Sequence, residues 1–138
     1  MRKIEHIGIA VKNIEEANET YAALLNTEAY KSEEVKTEGV ITSFFQVGEN
    51  KIELLAATND DSPSAKFIAK RGEGIHHIAF DVEDILAEIQ RLKEQGFVVI
   101  DEKPKMGADN KLVAFLHPKS SNGVLVELCQ EATDITII

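Results

Sequence analysis

Disulfide bonding is excluded at the outset: Cys129 is the single cysteine among 138 residues, so no intrachain bridge can form. Basic residues are also in short supply. Fifteen Lys and Arg face 24 Asp and Glu, giving a net charge of −9. That balance argues against general nucleic-acid binding, which needs a basic face to replace counterions. It leaves room for a phosphorylated small molecule met by a local basic patch. No apolar run approaches the roughly 20 residues that cross a bilayer. Met1-Arg2-Lys3 leads directly into a strand pattern with no apolar leader. The expectation is a cytoplasmic protein with no membrane partner. Low-complexity segments are missing too, and the tail after Glu131 carries no evident function.

What is present suits a globular enzyme-sized domain. Hydrophobic residues make up 43% and charged residues 28% of the chain. The length fits one domain with a real core. Within it the sequence repeats itself. Ile4-Glu5-His6-Ile7-Gly8-Ile9-Ala10-Val11 is echoed by Ile75-His76-His77-Ile78-Ala79-Phe80-Asp81-Val82, so that His6 returns as His77, 71 residues on. Lys51-Ile52-Glu53-Leu54-Leu55 is echoed by Leu125-Val126-Glu127-Leu128-Cys129, a shift of 74. A half of about 70 residues would be marginal alone, so the halves are expected to share one core.

Residues 4–11 alternate as a strand requires, with His6, Gly8 and Ala10 on one face and Ile7, Ile9 and Val11 on the other. Asn13 then caps a helix whose Ile14, Ala17, Tyr21, Leu24 and Leu25 recur at helical spacing. Asp84 does the same for a helix with a stripe of Ile85, Ile89 and Leu92 that stops at Gly96. Three strands are expected after each helix: about 29–36, 40–47 and 51–57 in the first half, and about 98–102, 112–117 and 124–130 in the second. The pair at 40–57 turns at Gly48-Glu49-Asn50. The unit is β-α-β-β-β, twice. Repeat 1 covers about 1–58 and repeat 2 about 74–131, with a linker helix in about 59–73.

Small neighbours beside each histidine predict open space on that face, with the opposite faces (Ile7, Ile9, Val11; Ile78, Phe80, Val82) as solid core. Glu53 and Glu127 have apolar neighbours on their own faces, and burying a lone carboxylate is costly. A metal ion would remove that cost. Taken singly, each of these residues reads as a satisfied core histidine or a strand-edge charge. As two repeat-related pairs, His6, Glu53, His77 and Glu127 read as ligands of a divalent ion with two positions left for water or substrate. His76 points the other way and reads as structural. His117 opens a loop and suits substrate contact or loop packing. Lys103, Lys105, Lys111 and Lys119 form a group that either meets phosphates or is solvated surface. Cys129 reads as a small core-facing residue.

These residues resemble the vicinal oxygen chelate (glyoxalase/bleomycin resistance/dioxygenase) superfamily, and within it the methylmalonyl-CoA epimerase family over nearly the whole chain. The stretches that carry the resemblance are residues 6–11, the run Gly72-Glu73-Gly74-Ile75-His76-His77-Ile78-Ala79-Phe80, and above all residues 116–128. There, Leu116-His117-Pro118-Lys119-Ser120-Ser121 stands where glyoxalase-type relatives carry an Asp-Pro-led turn. The resemblance implies an α+β fold: two tandem βαβββ modules forming a curved eight-stranded mixed sheet around a metal site, as one domain spanning 1–138. It implies the metal ligands His6, Glu53, His77 and Glu127, with Co²⁺ first and Mn²⁺, Ni²⁺, Zn²⁺ or Mg²⁺ as substitutes. The position of Glu53 is often Gln in the family.

The implied reaction interconverts the (2R) and (2S) epimers of methylmalonyl-CoA through C2 proton abstraction and a metal-stabilised enolate. Glu127 is the first choice for an acid–base residue, and Glu53 is the other on geometry. Some members are thought to use a further glutamate, whose nearest match here is Thr42. Lys119, Ser120 and Ser121 are the expected contacts to the CoA moiety, and a homodimer is implied. The rival readings are a glyoxalase I-like lyase or dioxygenase, and a non-catalytic small-molecule binding protein of the same fold.

Overall fold

A computed structural model describes residues 1–132. The expected tail after Glu131 therefore lies almost wholly outside the described residues. Eight strands and three helices follow in the order β1 (Lys3–Ala10), α1 (Ile14–Leu25), β2 (Lys31–Val35), β3 (Val40–Val47), β4 (Asn50–Ala57), α2 (Pro63–Arg71), β5 (Gly74–Asp81), α3 (Ile85–Glu94), β6 (Lys105–Met106), β7 (Lys111–Leu116) and β8 (Val126–Glu131). Among the described residues, no helix is long and apolar enough to cross a membrane.

The chain divides into two compact units, His6–His76 and Met1–Glu5 together with the chain from His77 onward. β1 and β5 thus each begin in one unit and finish in the other. In the His6–His76 unit the strands run β2-β3-β4-β1. β2, β3 and β4 are antiparallel, and β4 lies parallel to β1, with Gly8 opposite Glu53. The other unit runs β1-β5-β8-β7-β6. There β5 is parallel to β8, with Ala79 opposite Glu127, and β8, β7 and β6 are antiparallel. Mixed pairing and segregated helices make this an α+β fold, as expected.

The local signals work as the sequence says. Asn13 Oδ1 accepts from Glu16 N at 3.0 Å and Asp84 Oδ1 from Ala87 N at 3.1 Å, so repeat-related side chains cap α1 and α3. Gly48 takes φ 61° at the head of a two-residue turn that leaves Val47 opposite Asn50, the conformation a Gly-first hairpin loop demands. Ser62 caps α2 through Ala65 N, and Pro63 opens its first turn. Two cores result. α1 covers Val11, Phe45, Leu54 and Ala56 with Ile14, Ala17, Tyr21, Ala22 and Leu25. α3 brings Ile85, Ile89 and Leu92 onto Val82, Ala114, Leu116 and Leu128.

Four expectations need correction. Residues 98–102 do not form a strand: only Val99 bridges to Leu116, and β6 lies further on at Lys105–Met106. Here the Asp101 carboxylate, rather than a backbone carbonyl, takes the Phe115 N–H at 2.9 Å, and Pro104 offers no donor to a ladder. β8 begins at Val126 rather than 124, because Asn122 and Gly123 turn through positive φ. Leu24 is 69% exposed: one helical step of about 100° carries it off the stripe that Leu25 joins. The faces of β1 and β5 are also not as expected. Gly8, Ala10, Ala79 and Asp81 beside the histidines are buried, whereas Ile7, Ile9, Ile78 and Phe80 are half-buried. The helices explain this, since α1 lies over β3 and β4, and α3 over β7 and β8.

Candidate functional site

The His6–His76 unit holds the first pair. His6 on β1 and Gly8 point to the same face, and the parallel register sets Glu53 beside Gly8. With no side chain at Gly8 to block it, the Glu53 carboxylate leans back toward the imidazole, and Glu53 Oε1 lies 3.3 Å from His6 Nε2. Phe44, opposite Glu53 on β3, sets its ring edge-on to the imidazole at a 6.4 Å centroid distance and 85°.

The other unit repeats this construction with its own residues. Ala79 replaces Gly8, Glu127 Oε1 lies 3.1 Å from His77 Nε2, and Phe115, opposite Glu127, meets the His77 ring at 5.9 Å and 84°. Phe44 and Phe115 are 71 residues apart, the same shift as the histidines. Neither ring belongs to the donor set expected from the sequence, although the repeat shift marks both.

All four donors are buried, with His6 5%, Glu53 7%, His77 4% and Glu127 7% exposed. Two chemistries put an imidazole nitrogen and a carboxylate oxygen this far apart: a shared proton, or a shared cation. Donors bonded to one ion at about 2.1 Å lie about 3.0 Å apart when adjacent in an octahedron and about 3.4 Å apart in a tetrahedron. Both observed separations fall within that range. The donor set, neutral imidazole with carboxylate, suits a first-row divalent ion. The residues therefore fit a metal, pair by pair.

The remaining expected residues are placed as follows. His76 is half-buried and stacks edge-on against Phe67 at 4.9 Å. His117 is exposed, and its Nδ1 accepts from Lys119 N at 3.0 Å, so it organises its own loop. In that loop the Ser120 hydroxyl donates to His117 O and accepts from Val98 N, while the Ser121 hydroxyl donates to Val124 O. Both hydroxyls are already engaged, and the Lys119 ammonium is the loop's exposed charge. The lysine group disperses. Lys111 is buried and paired with Glu131, and Lys105 lies 3.6 Å from Asp101 and over the Phe115 ring. Cys129 is fully buried with Ala79 and Val113. Thr42, also buried, spends its hydroxyl proton on Glu33 O at 2.9 Å.

The chain is similar to known proteins in sequence and in fold. Residues 5–115 match the model of the Glyoxalase/Bleomycin resistance protein/Dioxygenase superfamily. The ethylmalonyl-CoA/methylmalonyl-CoA epimerase of Cereibacter sphaeroides is 44% identical, covering 93% of this chain and 97% of its own. A hypothetical protein of Bacillus halodurans superposes with a TM-score of 0.90 at 47% identity, covering 93% of each chain. A methylmalonyl-CoA epimerase in complex with methylmalonyl-CoA and ammonium superposes with a TM-score of 0.93 at 33% identity, covering 99% of each chain. With its repeated His–Glu pairs and its match to the family model over residues 5–115, this chain belongs to the Glyoxalase/Bleomycin resistance protein/Dioxygenase superfamily, among relatives that are methylmalonyl-CoA epimerases.

Proposed function

We propose that the protein is a metal-dependent methylmalonyl-CoA epimerase. The observation that carries this reading is the doubled pair, His6 with Glu53 and His77 with Glu127, in a chain similar to such epimerases over nearly its full length. The four residues are the ligands of one divalent ion, Co²⁺ by preference. Two neutral imidazoles and two carboxylates are a donor set that would suit such an ion. A bound ion supplies positive charge next to the oxygen that gains electron density as C2 loses its proton.

The chain's own residues do the rest. C2 of methylmalonyl-CoA lies between a thioester carbonyl and a carboxylate, so its proton is acidic for a C–H and a positioned carboxylate can remove it. Glu127 takes that proton. It accepts from C2 with one oxygen while His77, at 3.1 Å, and Phe115, opposite it on β7, keep its orientation. Inversion then needs a proton from the other side of C2, and Glu53 is the first carboxylate to consider for it. Phe44 and Phe115 hold the two imidazoles edge-on, which fixes the ring planes before any ligand binds. Lys119, with the loop of Ser120 and Ser121, receives the CoA moiety. The protein acts in the cytoplasm as a homodimer, and residues 1–138 form one functional domain with its two repeats at 1–58 and 74–131.

The test is proton exchange at C2. Metal-loaded protein is incubated with one epimer of methylmalonyl-CoA in D₂O, and deuterium content and epimer ratio are followed. Exchange with epimerisation, both lost on chelation, is the expected result. No exchange with Co²⁺, Mn²⁺, Ni²⁺ or Zn²⁺ overturns the reading. In that case a hemithioacetal assay would separate a glyoxalase-like lyase from a binding protein.

A further inference from the structure

Inversion at C2 requires two acid–base groups, and Glu53 is not the sole carboxylate on its face that could be the second. Its carboxylate lies against His6 Nε2 as that of Glu127 lies against His77 Nε2, and a carboxylate outside both pairs would have no share in the cation or proton those pairs hold. The rest of that face can be read from the register of β2, β3 and β4. Lys31 lies opposite Phe44, which lies opposite Glu53; Glu33 lies opposite Thr42, which lies opposite Leu55. Directly paired residues and those two apart share a side of the sheet. Lys31, Glu33, Thr42, Phe44 and Glu53 therefore line one surface.

Thr42 sits between Glu33 and the Glu53 strand, and a threonine hydroxyl is no base near neutral pH. Its proton is also engaged with Glu33 O, and its carbonyl accepts from Ser32 Oγ at 3.0 Å. Those two bonds lock the β2 edge strand onto β3 at the position of Glu33. The Glu33 carboxylate is 3.3 Å from Lys31 Nζ, with the two side chains 33% and 38% exposed. It is thus held in place yet open to a substrate arriving from solvent. Among the residues these three strands align on this surface, Glu33 is the one carboxylate outside the proposed ligand set.

Building on the epimerase reading, we propose that Glu33 is the second acid–base residue, reaching C2 directly or through one ordered water, with Lys31 positioning its carboxylate. In one direction Glu127 takes the C2 proton and the C–H electron pair passes into the enolate. Protonated Glu33 then gives its proton to C2 from the other side and becomes a carboxylate, so that a C–H bond replaces its O–H bond. In the reverse direction the two exchange roles, and each regains its starting state by proton exchange with water. No oxidant or further reactant is needed.

The test follows deuterium wash-in and inversion separately, starting from each epimer in D₂O, for the metal-loaded wild type, Glu33→Gln and Glu33→Asp. Circular dichroism checks that the variants are folded. Glu33→Gln is expected to keep wash-in from the epimer whose proton Glu127 removes, while inversion falls by about 100-fold or more. Glu33→Asp recovers part of the inversion. Inversion by Glu33→Gln within twofold of wild type overturns the assignment and leaves the epimerase reading intact, as does loss of wash-in from both epimers in a folded protein. A wild type that neither exchanges nor inverts overturns the epimerase reading, and this assignment with it.

Discussion

Adjacent phenylalanines on β3 separate the chemistry of the site from the stability of the fold. Phe44 is 1% exposed and faces His6 and Glu53, whereas Phe45 is fully buried against α1. Replacing either with Leu keeps most of the apolar volume but loses aromatic contact. Phe44 loses an edge-on partner in His6 and a tilted one in Tyr30 at 6.1 Å; Phe45 loses Tyr21 at 6.5 Å. Aromatic contacts at about 0.5–1.5 kcal/mol each, plus the small void left, put each substitution at about 2 kcal/mol of destabilisation. For a domain of this size that lowers Tm by roughly 6–10 °C. The two variants should therefore look alike in urea or thermal unfolding in the presence of chelator.

They should differ in metal binding. Phe44→Leu frees the His6 ring, and loosening such a supporting contact weakens metal affinity by about tenfold. Phe45→Leu leaves the ring untouched and should bind within twofold of wild type. Calorimetric titration of the apoprotein with Co²⁺ measures both. Equal weakening in the two variants, or a larger effect for Phe45→Leu, would refute the assignment of faces and the role given to Phe44.

Other consequences are equally direct. Glu127→Gln should lower turnover by about 100-fold or more with the fold intact, measured by steady-state epimerisation; undiminished turnover removes Glu127 from acid–base duty. Chelation should lower the Tm of the holoprotein, with the drop growing as the concentration of metal in the reference sample rises. A Tm indifferent to metal would mean that the His–Glu pairs share protons instead. The Arg91 hydrogen bond holds the Glu88 carboxyl below its usual value of 4.5. Its contribution is thus present above about pH 4.5 and lost as pH falls through the lower native value. The pair is a surface one, so Glu88→Gln should cost no more than about 0.5 kcal/mol at pH 7 and progressively less as the pH falls below 4.5, by urea midpoints. Cys129 is fully buried, so a thiol reagent should label it only after unfolding; fast labelling of the native protein would contradict the core placement.

Some of this is legible in the sequence. The 71-residue echo placed both histidines on opening strands and both caps at helix starts, because strand alternation and N-capping depend on residues only one to four apart. The second carboxylate follows the first by 74 rather than 71, whereas Phe115 follows Phe44 by the same 71 as the histidines, so the repeat shift marks the aromatic pair but not which carboxylate each ring faces. The failed strand at 98–102 has the same kind of cause. Val98 and Ile100 alternate as strand residues do, but whether a strand forms depends on a neighbour's backbone, and Asp101 takes the Phe115 N–H through its side chain.

By itself, then, the sequence determined the repeated βαβββ order, the capped helices and the donor types, all consequences of local periodicity and side-chain chemistry. Tertiary structure alone decided which side chains meet. The leaning of Glu53 over Gly8 and of Glu127 over Ala79 comes from parallel register between strands more than 40 residues apart in sequence. The same holds for Glu33 beside Thr42 and for the half-buried faces of β1 and β5, set by where the helices came to rest. Register and helix placement are fixed by the summed burial of whole faces, a quantity no short window of residues contains.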